Sequence, residues 1–158
     1  MTTLQRIYPV IILIFLVIVF GLLSGCTSLS SPASPEPVST GRINTVERVE
    51  VFHFHGNRQC ASCIAVGDLA ERTVNASFRN DLVLGRLVFS HVNYDLPENT
   101  ALKTKYNVTG SSLWIGVYDA NGFHKEQDTR VWSLISNEEA YRSYLRELIS
   151  KRLNGDLS

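Results

Sequence analysis

Two cysteines spaced Cys-x-x-Cys lie where one sequence periodicity gives way to another. Residues 46–55 alternate like a β-strand and become apolar on both faces, which is typical of a central strand covered on both sides. From Cys63 to about residue 75 the apolar positions instead recur at helical spacing. The sequence therefore predicts that Cys60 and Cys63 stand at the junction of a buried strand and a helix.

The remaining sequence supplies the other elements of one α/β domain, residues 46–155. The predicted elements after the first helix are a strand within 82–84 and 87–94, a short helix from 97 to 106, a strand at 112–118, a turn at 119–122, an antiparallel strand at 123–129 and a helix to 152. The last helix is predicted to begin with a capping box at Ser136 to Glu139 and to end just before Gly155. The order β-α-β-α-β-β-α predicts a three-layer sandwich with a mixed sheet.

This order, with the Cys-x-x-Cys motif after the first strand, resembles the thioredoxin fold. More narrowly, the segment from Phe54 to Cys63 (FHGNRQCASC), together with Arg130-Val131-Trp132, is similar to a small thioredoxin-like family. That family is labelled a nitrophenyl-compound nitroreductase subunit and is associated with arsenic resistance. We do not carry the labelled activity over, because the sequence has no flavin or nicotinamide motif, and we expect no cofactor.

The loop before the third strand departs from the thioredoxin pattern. Ordinary thioredoxins have a cis-proline there, whereas the resemblance aligns Ser112, preceded by Ser111, with that position. A cis peptide bond before serine costs about 2.5–4 kcal/mol, so we expect a trans bond and a differently shaped loop. In the family the cis-proline pairs with substrate peptides and keeps metals off the dithiol. Its absence therefore indicates altered specificity and leaves metal binding open.

The dithiol is predicted to be reactive because Cys60 begins a helix. Unpaired N–H groups and the helix dipole favour a thiolate there, so we expect its pKa to lie below the free value of about 8.5. Arg58 and a protonated His55 would lower that pKa further. We expect Cys60 to be the nucleophile on a protein disulfide and Cys63, one turn deeper, to resolve the mixed disulfide. This chemistry predicts a thiol–disulfide oxidoreductase. The sequence does not reveal whether it reduces or oxidises its partner.

Two alternatives to this prediction stay open. In the first, the cysteines form an inert disulfide in a non-catalytic interaction domain, although a loop of two residues constrains the unfolded chain little. In the second, Cys60, Cys63, His53 and His55 bind copper or zinc as a metal-delivery module. The simpler interpretation is that His55 tunes the thiolate and His53 is a hydrogen-bonded core residue. We assign no role to the other two histidines.

The N-terminus predicts a location outside the cytoplasm. Residues 10–23 form an apolar run of 14 residues, shorter than the roughly 20 that span a bilayer, and residues 1–25 fit a signal peptide. The run ends in Leu-Ser-Gly-Cys26, which resembles the lipobox of prokaryotic lipoproteins, so we expect cleavage before Cys26 and a lipid on its thiol. The alternative is an uncleaved membrane anchor. Residues 26–45, rich in serine and proline, are a predicted flexible tether.

The overall charge narrows the choice of partners. The formal net charge is zero and no basic cluster is evident, which argues against a nucleic-acid surface. The expected partners are therefore the cell membrane, through the N-terminal lipid or anchor, and a protein thiol or disulfide. The oligomeric state is not predicted.

Overall fold

A computed structural model describes residues 45–158, all within one compact unit, Gly41–Ser158. The strands and helices are β1 Arg48–His55, α1 Ala61–Ser77, α2 Arg79–Val83, β2 Leu87–Asn93, a 3-10 turn Pro97–Asn99, α3 Thr100–Tyr106, β3 Ser112–Asp119, β4 Gly122–Asp128, α4 Val131–Leu134 and α5 Glu138–Leu153. The predicted signal peptide or anchor 1–25, Cys26 and residues 27–44 of the predicted tether lie outside the described residues. The helices found between residues 45 and 158 include no candidate for a membrane span.

The four strands form one mixed sheet in the order β2-β1-β3-β4. β1 pairs in parallel with β2 and antiparallel with β3, and β3 pairs antiparallel with β4 through the predicted turn. Gly122 has a φ of 120°, and the Asp119 side chain accepts a hydrogen bond from the N–H of Asn121, so the turn uses the residues that such turns favour. The thioredoxin-like fold class is confirmed by this strand order.

Separate hydrophobic clusters cover the two faces of the sheet. On one face, Val49 and Val51 of β1 pack with residues of α1 and α5, including Val66 and Leu145. On the other face, the side chains that pack together are Phe52, Phe54, Val92, Tyr106 and Val108. The alternation of β1 therefore divides its side chains between two cores, and the three-layer arrangement is confirmed.

Two expectations about element ends are wrong. Residues 82–84 belong to the short helix α2 and its end instead of a strand. Leu82 packs partly against the core, whereas Val83 and Leu84 are 82% and 72% exposed. The last helix begins one residue later than the capping box predicts. Its N-cap is Asn137, whose side chain accepts a hydrogen bond from the N–H of Ala140, and this bond replaces a cap by Ser136.

Arg130-Val131-Trp132, part of the narrower resemblance, lies at the start of the short helix α4, which the sequence does not predict. The Asp128 side chain accepts hydrogen bonds from the N–H groups of Arg130 and Val131. Val131 is fully buried in the α1–α5 core, and Trp132 packs partly against it. These residues therefore connect the end of the sheet to the helical layer that holds α1.

Candidate functional site

Cys60 and Cys63 are joined by a disulfide at the start of α1, with their Cα atoms 5.0 Å apart. Cys60 is the N-cap of the helix: its backbone is extended, and its Sγ accepts a hydrogen bond from the N–H of Cys63 at 3.1 Å. A side chain that accepts from the third residue of a helix satisfies one of the N–H groups left without a carbonyl partner. Cys60 is exposed and Cys63 is half-buried, which matches the expected order of accessibility.

The helix that carries the dithiol is fixed from the side of α5. The hydroxyl of Tyr141, fully buried, donates to the backbone carbonyl of Val66 at 2.8 Å. This contact fastens the second turn of α1 to the C-terminal helix α5. The position of the Cys60 sulfur therefore depends on packing that lies well away from it in sequence.

The loop before Cys60 is tied to the loop that follows β2. The N–H of Asn57 donates to Asp95 at 2.8 Å, and the Asn93 amide donates to the Asn57 side chain at 2.8 Å. Gly56 packs tightly there, because a Cβ at this position would lie 2.9 Å from the Tyr94 hydroxyl oxygen. This network was not predicted, although the Asn and Asp residues at the ends of two neighbouring strands are a usable signal for it.

The two predicted tuning residues differ in their surroundings. His55 ends β1, and its Nδ1 lies 3.0 Å from the carbonyl oxygen of Gly56. Arg58 is exposed in the loop two residues before Cys60. Their effect on the thiolate stays a prediction.

Ser112 begins β3 and pairs with Phe54, so the loop in place of the cis-proline lies at the sheet end from which α1 starts. The described residues contain no cis peptide bond, so the bond before Ser112 is trans, as expected. The buried Ser112 hydroxyl donates to the carbonyl of Gly110 at 2.8 Å and accepts from the Trp114 indole at 3.0 Å. Ser111 is half-buried beside it. These hydrogen bonds hold the loop in its trans shape.

Three histidines lie close together beneath α1, and one of them, His91, was not predicted to have a role. His53 and His91 are register partners in the parallel β1–β2 pair, and their Nδ1 atoms lie 2.9 Å apart. The ring of His55 stacks on that of His53 at 5.6 Å between centroids. His53 is thus a hydrogen-bonded core residue, as the simpler interpretation predicts. Within residues 45–158, no three His, Cys, Asp or Glu side chains are arranged to hold a metal ion, and the metal-binding alternative stays a prediction.

A buried carboxylate on the opposite face of the sheet was also missed. Glu50 of β1 accepts hydrogen bonds from the hydroxyl of Tyr106 at 2.7 Å and the ammonium of Lys105 at 3.0 Å, and it pairs with Arg48 at 2.9 Å. The Tyr118 hydroxyl donates to the same carboxylate at 3.2 Å. A charged residue inside an apolar strand signals such a network, but apart from Arg48 on the same strand its partners come from β3 and α3.

The similarity of this chain to known proteins is low. No family model matches the chain, and no curated protein matches it either. It is similar to the Trx4 domain of ERdj5, with 14% identity over 71% of this chain and 85% of that one and a TM-score of 0.45. It is also similar to a thioredoxin from Thermus thermophilus, with 19% identity over 66% of this chain and 75% of that one and a TM-score of 0.41. A third similar structure contains the first two thioredoxin domains of Naumovozyma dairenensis Eps1p, with 18% identity over 75% of this chain and 41% of that one and a TM-score of 0.40. The chain has a thioredoxin-like fold with a disulfide of Cys-x-x-Cys spacing.

Proposed function

We propose that this protein is a membrane-tethered, extracytoplasmic thiol–disulfide oxidoreductase that acts on protein disulfides through Cys60 and Cys63. The observation that carries the proposal is that the exposed residue Cys60 caps the N-terminus of a 17-residue helix with its Sγ atom. N–H groups and the helix dipole at such a position favour a thiolate, which is the species that attacks a disulfide. The half-buried Cys63 is close enough to close the ring, because the two sulfurs already form a bond.

The proposed exchange moves two electrons from the dithiol to the partner. The Cys60 thiolate attacks one sulfur of the partner disulfide, a mixed disulfide forms, and the other partner sulfur leaves as a thiolate that takes a proton from water. The Cys63 thiol then loses its proton and attacks the Cys60 sulfur, which releases the second partner thiol. The dithiol ends oxidised and the partner ends reduced, and the reverse sequence oxidises a partner dithiol.

Replacing Cys63 with serine is expected to trap the partner. The variant keeps the nucleophile but cannot resolve the mixed disulfide, so Cys60 stays covalently joined to its partner. The measurement is non-reducing electrophoresis of membranes from the native host, followed by mass spectrometry of bands that collapse on reduction. The matched control is Cys60→Ser/Cys63→Ser, which should trap nothing.

An inert disulfide is the competing function, and the bond seen between Cys60 and Cys63 is the observation in its favour. It predicts that Cys63→Ser gives no adduct through Cys60 in either a reducing or an oxidising background. That outcome would remove the oxidoreductase proposal and favour a non-catalytic interaction domain.

We also propose that the protein is a member of the small thioredoxin-like family that its sequence resembles. Its support is the segment from Phe54 to Cys63 together with Arg130-Val131-Trp132. Nitro reduction is not proposed, because the sequence offers no flavin or nicotinamide motif. We propose only the dithiol chemistry for a member of that family.

Tethering to the membrane rests on residues 1–26. The apolar run followed by Leu-Ser-Gly-Cys26 supports cleavage by a lipoprotein signal peptidase and lipid attachment to Cys26. A lipid anchor followed by a tether would let the domain reach partners near the membrane.

In a bacterial host the mature protein is expected to begin at Cys26 and to carry a lipid on that residue. The intact mass of the purified chain checks this, and the protein should enter the detergent phase on phase separation. Cys26→Ala should abolish both the cleavage and the added mass. A chain that retains Met1 and an unmodified Cys26 would instead identify an uncleaved anchor.

A further inference from the structure

Two neighbouring apolar side chains project from the surface at the end of the short helix α2. Val83 and Leu84 are 82% and 72% exposed, the two highest values for large apolar residues within 45–158. Leu82 beside them packs partly against the core, and Phe78, which precedes the helix, is buried. The inward side chains therefore hold α2 in place while Val83 and Leu84, here called the apolar tip, face solvent.

Hydrogen bonds at the end of α2 fix the shape of the apolar tip. Gly85 has a φ of 70°, and its N–H donates to the carbonyl of Leu82 at 3.1 Å. The N–H of Arg86 donates to the carbonyl of Asp81 at 2.9 Å, and the side chains of these two residues pair at 3.4 Å. The two backbone bonds form the Schellman ending of a helix. The apolar tip is therefore a fixed projection and not a frayed helix end.

The apolar tip lies at the end of the sheet where the predicted tether enters the domain. β1 and β2 are parallel and both begin at this end, and the N–H of Val49 donates to the carbonyl of Arg86 at 2.8 Å. The predicted tether, residues 26–45, leads from Cys26 to the same end. A flexible chain of about 20 residues has an r.m.s. end-to-end distance of roughly 25 Å. A lipid on Cys26 would therefore keep the apolar tip close to the bilayer.

The dithiol lies at the other end of the domain. Cys60 follows the end of β1, and α1 runs back from there to Ser77, two residues before α2 begins. A helix of 17 residues is about 25 Å long, because each residue adds about 1.5 Å. The length of α1 therefore separates the Cys60 end of the domain from the apolar tip.

Basic side chains stand beside the apolar tip. Arg79, in α2, is exposed and has no acidic partner in the part of the chain that the structure describes. Arg86 is 46% exposed and neutralises Asp81, the acid of the same helix. Exposed Glu47, just before β1, opposes their attraction for anions, so apolar burial contributes more than charge. Apolar side chains flanked by basic ones are typical of a contact with a membrane surface.

We propose that the apolar tip inserts into the bilayer that anchors the protein and thereby holds the Cys60–Cys63 dithiol away from the membrane. The inference rests on the proposed membrane tether and adds the orientation of the domain. It also names the class of partner, because the dithiol then meets disulfides in protein segments that stand about 25 Å or more from the bilayer.

The expected strength of the contact fits a tethered protein. Burying two side chains of this size in hydrocarbon favours the docked state by on the order of 100- to 1,000-fold. This gain is too small to hold a free protein on a membrane. A tether supplies an effective concentration in the millimolar range, which is enough to populate so weak a contact.

Leu84→Trp in the full-length chain reports directly on insertion. The protein is reconstituted into vesicles of phosphatidylcholine and phosphatidylglycerol, made once with ordinary and once with brominated acyl chains. Bromine quenches an indole only when the ring lies within or against the hydrocarbon, and the wild-type chain gives the background from Trp114 and Trp132. We expect bromine to remove about half or more of the emission that the substitution adds, as a populated contact requires.

Leu96→Trp is the matched control at the dithiol end. Leu96 is also apolar and 38% exposed, but it follows Asp95, which binds the loop before Cys60. Its added emission should be the same in both kinds of vesicle. Arg79→Gln in the Leu84→Trp chain should lower the ratio of docked to undocked molecules about fivefold. Arg58→Gln, at the dithiol end, should leave that ratio unchanged.

Unquenched emission from Leu84→Trp in a chain that floats with the vesicles on a density gradient would overturn the inference. An apolar tip covered by a second copy of the chain gives that result. Equal quenching of Leu84→Trp and Leu96→Trp would also overturn it, because the domain then has no preferred orientation. A chain that does not float lacks the anchor, and the inference fails together with the tether. The exchange chemistry is tested separately, by the adduct that Cys63→Ser traps.

Discussion

Cys60→Ser is expected to abolish reduction of a protein disulfide, leaving only the rate measured without protein. Serine keeps the size and the capping geometry of the side chain but has no thiolate to offer at neutral pH, so the first covalent step is lost. Cys63 cannot replace it, because it is half-buried one turn into the helix. The measurement is the initial rate of thiol release from an oxidised protein substrate by the reduced full-length chain.

The control for this result is stability, since loss of activity through unfolding would be uninformative. A disulfide that closes so short a loop restricts the unfolded chain little, so Cys60→Ser should unfold at nearly the wild-type urea concentration. Cys63→Ser gives a second comparison, because it should still release the first partner thiol. Wild-type activity in a folded Cys60→Ser protein would show that the nucleophile lies elsewhere.

Local sequence patterns predict much of the fold of this protein. The alternation of β1 predicts which of its side chains face each core, and the shift to helical spacing after Cys60 predicts where α1 begins. Both features depend on residues close together in the chain. The predictions fail where local signals conflict, as at residues 82–84, which are apolar like a strand but lie at the exposed end of a short helix.

The missed part of the site depends on pairing between distant segments. His53 meets His91 across 38 residues because β1 and β2 align in one particular parallel register. A shift of one residue would turn His91 to the other face of the sheet. Register of this kind is set by the packing of the whole sheet, so the sequence shows two histidines on β1 but not the third beside them.

Glu50→Ala is expected to lower the free energy of unfolding by about 2–3 kcal/mol at neutral pH, because it leaves Lys105, Arg48 and the Tyr106 hydroxyl without their shared acceptor. The cost is smaller than that of breaking a fully buried pair, since Lys105 and Arg48 are partly exposed and water would solvate them. Glu47→Ala, an exposed glutamate three residues earlier on the chain, is the matched control and should change stability by less than about 0.5 kcal/mol.

The pH dependence gives a second, sharper test of the same network. Burial alone would raise the pKa of Glu50, but hydrogen bonds from Tyr106 and Lys105 and the charges of Lys105 and Arg48 outweigh it and lower the pKa. Its stabilising effect is therefore complete above the unfolded value of about 4.3 and is lost as the pH falls through the lower folded value. Urea unfolding at a series of pH values should show wild type and Glu50→Ala converging in acid. A difference that stays constant to the lowest pH at which both fold would mean that Glu50 contributes through packing and not through its charge.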